Sequence, residues 1–305
     1  MIEWAGQFLW STGRVLEQRR FAHLFGSGAE SGSAVETAAG VLAALNAYRS
    51  ADGGYAFGLD PDVRGPASQP ITMLAAVEVL EETGALRGPR GTEICAWLAA
   101  VADADGGIPA VLPSLAPYPH APWMQITDPP VAGLIATGRI AGPLLGAGVE
   151  HPWLTAAAEY CRHAVEQVEQ THPYEVEAAV AFLDGTSDRP WARQQAKRLG
   201  ELVREQRIVL LDPEHPELTQ LSPGYAPGEY HLPHDYAPRP ESLARSWFSD
   251  AEMERSLRHL VAEQQQDGGW PVGWLQWSPV NHVESRPRVT LAVLLTLRAY
   301  DRAAV

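Results

Sequence analysis

The chain has 305 residues, of which 46% are hydrophobic, and it carries a formal net charge of −14. This length can hold one large domain or two ordinary ones, and the apolar fraction is ample for a buried core. No basic run is longer than short pairs such as Arg19-Arg20. Because phosphate binding needs clustered Lys and Arg, this acidic chain is not expected to bind nucleic acid.

The chain has two cysteines, Cys95 and Cys161, which are too few for the disulfide framework of a small secreted domain. Its first residues lack the basic start and apolar core of a signal peptide. The longest apolar stretch, 131–149, is interrupted by an arginine, a proline and five glycines. We therefore expect a cytoplasmic protein without a transmembrane segment.

Apolar residues recur at steps of three and four along most of the chain, a spacing typical of helices that bury one face. This periodicity predicts about eleven helices and no strand. The clearest segments are 2–24, 33–49, 69–82, 92–102, 127–139, 152–170, 175–183, 190–207, 250–266 and 288–302.

The tripeptide Asp-Gly-Gly ends three of these helices, and a bulky apolar residue follows it each time. The three copies are Asp52-Gly53-Gly54, Asp105-Gly106-Gly107 and Asp267-Gly268-Gly269. The first interval is 53 residues, and the second, of 162 residues, is close to three such intervals. This regularity indicates an internal repeat, in which glycine provides the left-handed backbone that commonly ends a helix.

Paired helices that bury apolar faces on both sides close most simply into a barrel. An open solenoid would need polar end helices, whereas the first helix is rich in Trp and Phe and the last has an apolar run at 289–297. We predict an all-α protein, a single α/α toroid domain over residues 1–305. Its alternating inner and outer helices would surround an apolar central cavity.

The repeats resemble those of known enzymes. Residues 97–109 and 260–271 are similar to the Gln-Trp repeats of squalene and hopene cyclases. Residues 52–69 and the apolar helix after them resemble the same enzymes' Asp-Gly-Gly-Trp, irregular loop and Ala-Ser-Gln. The resemblance implies the terpenoid cyclase and protein prenyltransferase superfamily, an α/α toroid, and in particular its compact single-toroid bacterial members.

The strongest candidate site is Asp60-Pro61-Asp62-Val63-Arg64-Gly65-Pro66. A carboxyl group that desolvation and a neighbouring charge keep protonated can act as a general acid. The resembling cyclases protonate an alkene with the third residue of an Asp-x-Asp-Asp motif. Asp62 holds that place, and Val63 stands where the motif has its last Asp. The alternative is structural: Asp60 and Asp62 would cap the following helix and pair with Arg64.

Two long connections, 109–130 and 212–240, contain seven prolines each and several aromatic residues. Such loops in a compact domain often cover a binding site, although irregular packing would explain them equally well. From these loops, the tryptophans and the start of the last inner helix we predict the substrate-binding residues. They are Arg64, Trp123, Tyr236, Trp247, Trp274, Trp277, His282, Glu284 and Arg286.

The leading functional hypothesis is an enzyme for acid-initiated cyclisation or isomerisation of an apolar isoprenoid or polyene. Asp62 and Asp60 would be its catalytic residues, and we expect no metal or cofactor. The first alternative is a non-catalytic toroid that binds a hydrophobic ligand or a partner protein, with the repeat retained for its concave surface.

A second alternative is a zinc-dependent, prenyltransferase-like enzyme. Glu93-x-Cys95 faintly resembles the Asp-x-Cys zinc ligands of protein prenyltransferases, and His231, His234 or His282 would supply the histidine. Zinc would need three such ligands at one point. The segment His231-x-x-His234-Asp235 could also place a carboxylate beside a histidine for base catalysis, or it could be hydrogen-bonded loop structure.

Overall fold

The computed structural model describes residues 1–26 and 33–302. The α-helices of this part are α1 (Ile2–Thr12), α2 (Val15–Phe25), α3 (Ser33–Asn46), α4 (Pro70–Glu82), α5 (Pro89–Ala99), α6 (Leu134–Gly146), α7 (Pro152–Gln167), α8 (Pro173–Gly185), α9 (Arg189–Glu205), α10 (Pro233–Tyr236), α11 (Asp250–Ala262) and α12 (Pro279–Ala299). Short 3₁₀-helices span Ala85–Arg87, Pro113–Leu115, Pro216–Leu218 and Leu243–Trp247.

The helices alternate between an inner and an outer ring. The even-numbered helices form the inner ring, in which α4 contacts α6, α6 contacts α8, α8 contacts α10, and α12 contacts α2. The odd-numbered helices lie outside, and each contacts at least one helix next to it in the chain. Over the described ranges there is no β-strand, only three isolated bridges. The predicted all-α toroid is confirmed.

The first predicted helix consists of two helices in the structure, α1 and α2. The segment 2–24 breaks at Gly13 and Arg14, both of which have extended backbone. The break turns the chain from the outer helix α1 to the inner helix α2, and Arg14 then donates hydrogen bonds from its guanidinium to the carbonyls of Gly58 and Leu59 at 2.6 and 3.3 Å. Apolar periodicity continues through the break and therefore hid it, although Gly13 was a visible signal.

The last inner helix begins earlier than predicted, at Pro279 instead of Arg288. Ser278 caps this helix, because its hydroxyl accepts a hydrogen bond from the backbone N–H of Asn281 at 3.1 Å. The predicted start at Arg288 comes directly after Pro287, and the structure has that proline inside the helix. The longer helix brings Asn281 and Glu284 onto the same element as Arg288, which matters for the site.

The three Asp-Gly-Gly turns have the same geometry. The first glycine of each has a positive φ of 89°, 92° and 92° at Gly53, Gly106 and Gly268, a conformation that strains any other residue. The aspartate side chain accepts a hydrogen bond from the second glycine's amide at 2.9, 3.4 and 3.1 Å. The turns are therefore structural units, and their carboxylates hold the backbone.

Each turn also packs against the outer helix that follows it in the ring. A Cβ at Gly106 would lie 2.5 Å from the backbone of Ala156 in α7, and one at Gly268 would lie 2.2 Å from the carbonyl oxygen of Trp4 in α1. The third turn thus joins the last hairpin to the first helix, and Gln264 adds a hydrogen bond to the Met1 carbonyl at 3.1 Å. The ring closes through contact between its ends.

No helix in the described ranges is both long enough and apolar enough to cross a bilayer.

Candidate functional site

The segment Asp60–Arg64 lies in the loop between the first Asp-Gly-Gly turn and the inner helix α4. Asp60 is held on both oxygens: Oδ1 accepts the backbone N–H of Asp62 at 2.9 Å, and Oδ2 accepts from Arg288 of α12 at 3.1 Å. This carboxylate therefore fixes the turn and connects it to the opposite end of the chain.

Asp62 has different partners. Its Oδ1 accepts a hydrogen bond from the Asn281 amide at 2.8 Å, and its Oδ2 accepts one from the Trp123 indole N–H at 3.0 Å. Within residues 1–26 and 33–302, no Arg, Lys or His side chain lies within 4.0 Å of it. Burial raises the pKa of Asp62, and the negative charge of Asp60 raises it further, beyond what its hydrogen bonds offset. The surroundings of Asp62 therefore favour its protonated form more than those of an exposed aspartate would.

The structural alternative for this segment is wrong in its details. Helix α4 is capped by Gln69, not by Asp60 or Asp62. Arg64 pairs with Glu284 of α12 at 2.7 Å. The Nη2 atom of Arg64 is buried and has no hydrogen-bond partner in the part of the chain that the structure describes. Neither aspartate therefore caps α4 or pairs with Arg64, and Asp60 alone keeps a structural role, in holding its own turn.

The Pro-rich loop 109–130 lies directly over this segment. The Ala121 amide donates to the carbonyl of Asp62 at 2.8 Å, and the Arg64 amide donates to that of Pro119 at 3.0 Å. Val63 packs with Val111 and Leu115 in a small apolar cluster under the loop. These contacts place the half-exposed Trp123 ring at the Asp62 carboxyl.

The inner helices carry a band of alternating charge, which we call the charged belt: Glu78 of α4, Arg139 of α6, Glu177 of α8 and Arg288 of α12. Arg288 lies 3.7 Å from one Glu78 oxygen, and Arg139 lies 3.3 Å from the other. The carboxylates of Glu177 and Glu78 raise the pKa of Arg139, although burial opposes them. The sequence predicted an apolar central cavity, whereas the inner helices are charged at these positions.

Glu177 leads to a further cluster. Its Oε1 lies 2.8 Å from Nε2 of His231, whose Nδ1 lies 2.9 Å from the Tyr225 hydroxyl. Burial alone would lower the pKa of His231, but the charge and hydrogen bond of Glu177 outweigh burial and raise it. His234 lies apart from Glu177: its Nδ1 is 2.6 Å from the Ser256 hydroxyl and its Nε2 is 3.6 Å from Asp235, the carboxylate that the sequence placed beside it, and burial lowers its pKa.

Of the predicted substrate-binding residues, three lie at this site: Trp123, Arg64 and Glu284. Arg286 does not: it binds the Asp267 carboxylate at 2.6 Å and covers the Phe8 ring. Its position on α12 points it towards the outer helix α1, where it reinforces ring closure.

The other predicted side chains lie elsewhere. Tyr236 is 1% exposed and donates from its hydroxyl to the Ile208 carbonyl at 2.8 Å, and Trp247 packs in the core against Gly200. Both belong to the packing behind the inner ring. Trp274 and Trp277 are half-buried in the loop before α12, and His282 is exposed. None of these five has a hydrogen bond to Asp60 or Asp62.

The zinc alternative finds no support in the ligand geometry. Burial raises the pKa of the fully buried Cys95 thiol to about 12, so the thiolate that zinc needs is disfavoured. Glu93 pairs with Arg49 at 2.7 Å instead. Throughout the part of the chain that the structure describes, no three His, Cys, Asp or Glu side chains are placed to hold a metal ion.

Comparison with solved structures identifies the fold. A protein from Actinoplanes is similar over 98% of both chains, with a TM-score of 0.60 and 14% identity. The type II terpene cyclase MstE from Scytonema, in its apo form, has a TM-score of 0.54 and 13% identity, covering 98% of this chain and 89% of that one. A variant of MstE in complex with its substrate geranylgeranyl dihydroxybenzoate has a TM-score of 0.53.

No protein-family model and no curated protein matches the chain. The fold is nevertheless plain: the described residues form an α/α toroid similar to that of the terpene cyclase MstE, as the repeats implied. At 13–14% identity the similarity concerns the fold, and the chemistry has to be argued from the site.

Proposed function

We propose that this protein catalyses the proton-initiated cyclisation or isomerisation of a linear isoprenoid, with Asp62 as the proton donor. The observation that carries the proposal is the contrast between two neighbouring aspartates. Asp60 has a guanidinium partner at 3.1 Å, whereas Asp62 has only neutral hydrogen-bond donors and a pKa raised by burial. A carboxyl group whose surroundings raise its pKa is suited to general-acid catalysis, and a neighbour paired with a guanidinium group is suited to a supporting role.

The first step uses the neutral form of Asp62. Its O–H proton moves to the terminal alkene of the substrate, whose π electrons form the new C–H bond and leave a tertiary cation. The next double bond then attacks that cation, or a neighbouring proton is lost. As Asp62 becomes a carboxylate, the hydrogen bonds from Trp123 and Asn281 stabilise its new charge without reorganisation.

The fold similarity supports the choice of substrate class. The substrate in the complex of the MstE variant, geranylgeranyl dihydroxybenzoate, contains an isoprenoid chain and a polar aromatic end. In the present chain, the apolar side chains of the ring would surround such a chain, while the charged belt and Arg64 would face a polar end. We infer an isoprenoid that carries a polar group in preference to a pure hydrocarbon.

The non-catalytic alternative makes a different prediction for Asp62. A toroid that only binds a ligand has no use for a neutral acid on its inner face, and the desolvation of an unpaired carboxyl group would only cost stability. The half-buried Asp62 without a basic partner therefore favours the enzyme over the binding protein.

The test is turnover of geranylgeraniol and of geranylgeranyl dihydroxybenzoate, followed by mass spectrometry. Asp62→Asn should lower the rate at least ~100-fold, because it removes the general acid. Among the described residues, the buried side-chain oxygen Oδ1 of Asn281 has no hydrogen-bond partner. The Asn281 side chain can therefore rotate so that this oxygen accepts a hydrogen bond from the side-chain N–H₂ introduced by Asp62→Asn, and the variant should fold. Asp250→Asn removes a carboxylate with a 99% exposed side chain and should not affect the rate. Equal rates in the wild type and Asp62→Asn would refute the proposal.

A further inference from the structure

A proton-initiated reaction that ends in an alkene needs a base as well as an acid. The cation formed by Asp62 must lose a proton elsewhere, and a carboxylate that faces the inside of the ring with a free oxygen could accept it. The inner face offers several carboxylates. Their hydrogen bonds decide which of them is available. Glu284 of α12 is held by two guanidinium groups on one oxygen, since Arg64 lies 2.7 Å and Arg14 3.9 Å from its Oε2.

Two other carboxylates are engaged on both oxygens. Asp60 binds the Asp62 amide with one oxygen and Arg288 with the other. Glu78 faces a guanidinium on each oxygen, Arg139 at 3.3 Å and Arg288 at 3.7 Å. A carboxylate with an arginine on both oxygens is a weak base, and its lone pairs are directed away from a substrate.

Glu177 is different. Its Oε1 is held by His231 at 2.8 Å, whereas no group in the described ranges donates a hydrogen bond to its Oε2. Its side chain is 19% exposed on the inner helix α8. Arg139 is close enough for the Glu177 carboxylate to raise its pKa, yet it forms its ion pair with Glu78.

His231 gives Glu177 a fixed orientation. The imidazole is 7% exposed, and its second nitrogen is bound by the Tyr225 hydroxyl at 2.9 Å. The rings of Tyr174, Tyr225 and Tyr236 surround it, with centroids 5.0, 5.7 and 5.6 Å away. A histidine that is hydrogen-bonded on both nitrogens and packed against three aromatic rings is a rigid support for one carboxylate oxygen. The other oxygen is left to the substrate.

We propose that Glu177 is the catalytic base that ends the reaction, with His231 and Tyr225 as positioning residues. Glu177 Oε2 takes a proton from the carbon next to the cationic centre, and the C–H electron pair becomes the π bond of the product alkene. The proton returns to Asp62 through solvent, so no further reactant is required. Asp62 and Glu177 would thus be the acid and the base of one reaction.

This inference rests on the proposed function, and its test is the product ratio. With geranylgeraniol as the probe, a cation that is not deprotonated in time is captured by water and gives an alcohol. Glu177→Gln should therefore raise the ratio of alcohol to alkene at least ~10-fold while substrate is still consumed. His231→Gln should move the ratio in the same direction. Glu175→Gln, on the same helix but bound to Thr171, should leave it unchanged.

The ratio is a property of each turnover, so it does not depend on how much of a variant is folded. An unchanged ratio in Glu177→Gln, with turnover still dependent on Asp62, would overturn this inference alone. A folded Glu177→Gln protein that consumes no substrate would also overturn it, because a terminating base acts after the substrate is protonated. Turnover that does not depend on Asp62, or no turnover by the wild type, would overturn the proposed function itself.

Discussion

Replacing Trp123 with Phe tests the electrostatics of the candidate acid directly. The change keeps an aromatic ring in the covering loop but removes the indole N–H, which lies 3.0 Å from Oδ2 of Asp62. That hydrogen bond is stronger to a carboxylate than to a neutral acid, so its loss disfavours ionisation. The pKa of Asp62, already raised by burial and by Asp60, should therefore rise further in Trp123→Phe.

The magnitude follows from the geometry. A hydrogen bond to a charged group contributes about 1.5–3 kcal/mol when buried. The Trp123 side chain is 38% exposed, so water replaces part of the lost interaction and the lower end applies. About 1.4 kcal/mol corresponds to a rise of about one pKa unit.

The assay is ¹³C NMR titration of protein labelled at the aspartate carboxyl carbons, with Asp62→Asn used to assign the signal. Trp10→Phe is the matched control, because Trp10 is 52% exposed on the outer helix α1. A pKa that stays unchanged or falls in Trp123→Phe would refute the assigned role of the indole. Since the neutral acid is the active form, turnover declines as pH rises through the pKa of Asp62. The same variant should therefore remain active to about one pH unit higher.

Two further predictions concern ring closure. Gly268→Ala should destabilise the fold by about 2–4 kcal/mol, because φ is +92° there and the new Cβ would lie 2.2 Å from the Trp4 carbonyl oxygen. The control is Gly273→Ala, whose new Cβ would have no atom of the described residues within 4 Å, so the free energy of unfolding should change little. Thr290→Val should cost about 1–3 kcal/mol, because the hydroxyl accepts from the buried Trp270 amide at 3.1 Å. Urea denaturation measures both. Equal stability of the two glycine variants would contradict closure of the ring through Gly268 and Trp4, and a neutral Thr290→Val would contradict the attachment of this turn to α12.

The fold could be predicted from the sequence because its signal is local. Each Asp-Gly-Gly turn needs glycine where φ is positive, and it repeats with the hairpins that it joins. The same local reasoning failed at Gly13 and Pro287, where a break and a continuation depend on contacts from distant elements. Arg14, for example, is fixed by the carbonyls of Gly58 and Leu59.

The site could be predicted only in part. Asp60, Asp62 and Arg64 lie close together in one short segment, so the sequence shows their chemistry directly. The partners that distinguish the two acids, Arg288 and Asn281, lie more than two hundred residues away, and only closure of the ring brings them there.

The charged belt was missed for the same reason, and so was Glu177. In the sequence each belt residue looks like an ordinary solvated charge on its helix, and only Arg139 is the single charge of its helix. His231 did carry a signal, because it stands in a histidine-rich and aromatic loop, but the sequence paired it with His234. The structure gives it Glu177 and Tyr225 instead.

The pairing within the belt has a consequence for the proposed reaction. A cation inside the ring would be repelled by unpaired guanidinium groups in a medium of low dielectric constant. Arg139 has a carboxylate partner in Glu78, and Arg288 has one in Asp60, so neither presents an uncompensated positive charge. The same pairing disfavours a diphosphate, which would have to displace a carboxylate to bind an arginine. The belt is thus better suited to a neutral or singly charged polar end and to a cation formed beside it, in agreement with protonation of an intact chain by Asp62.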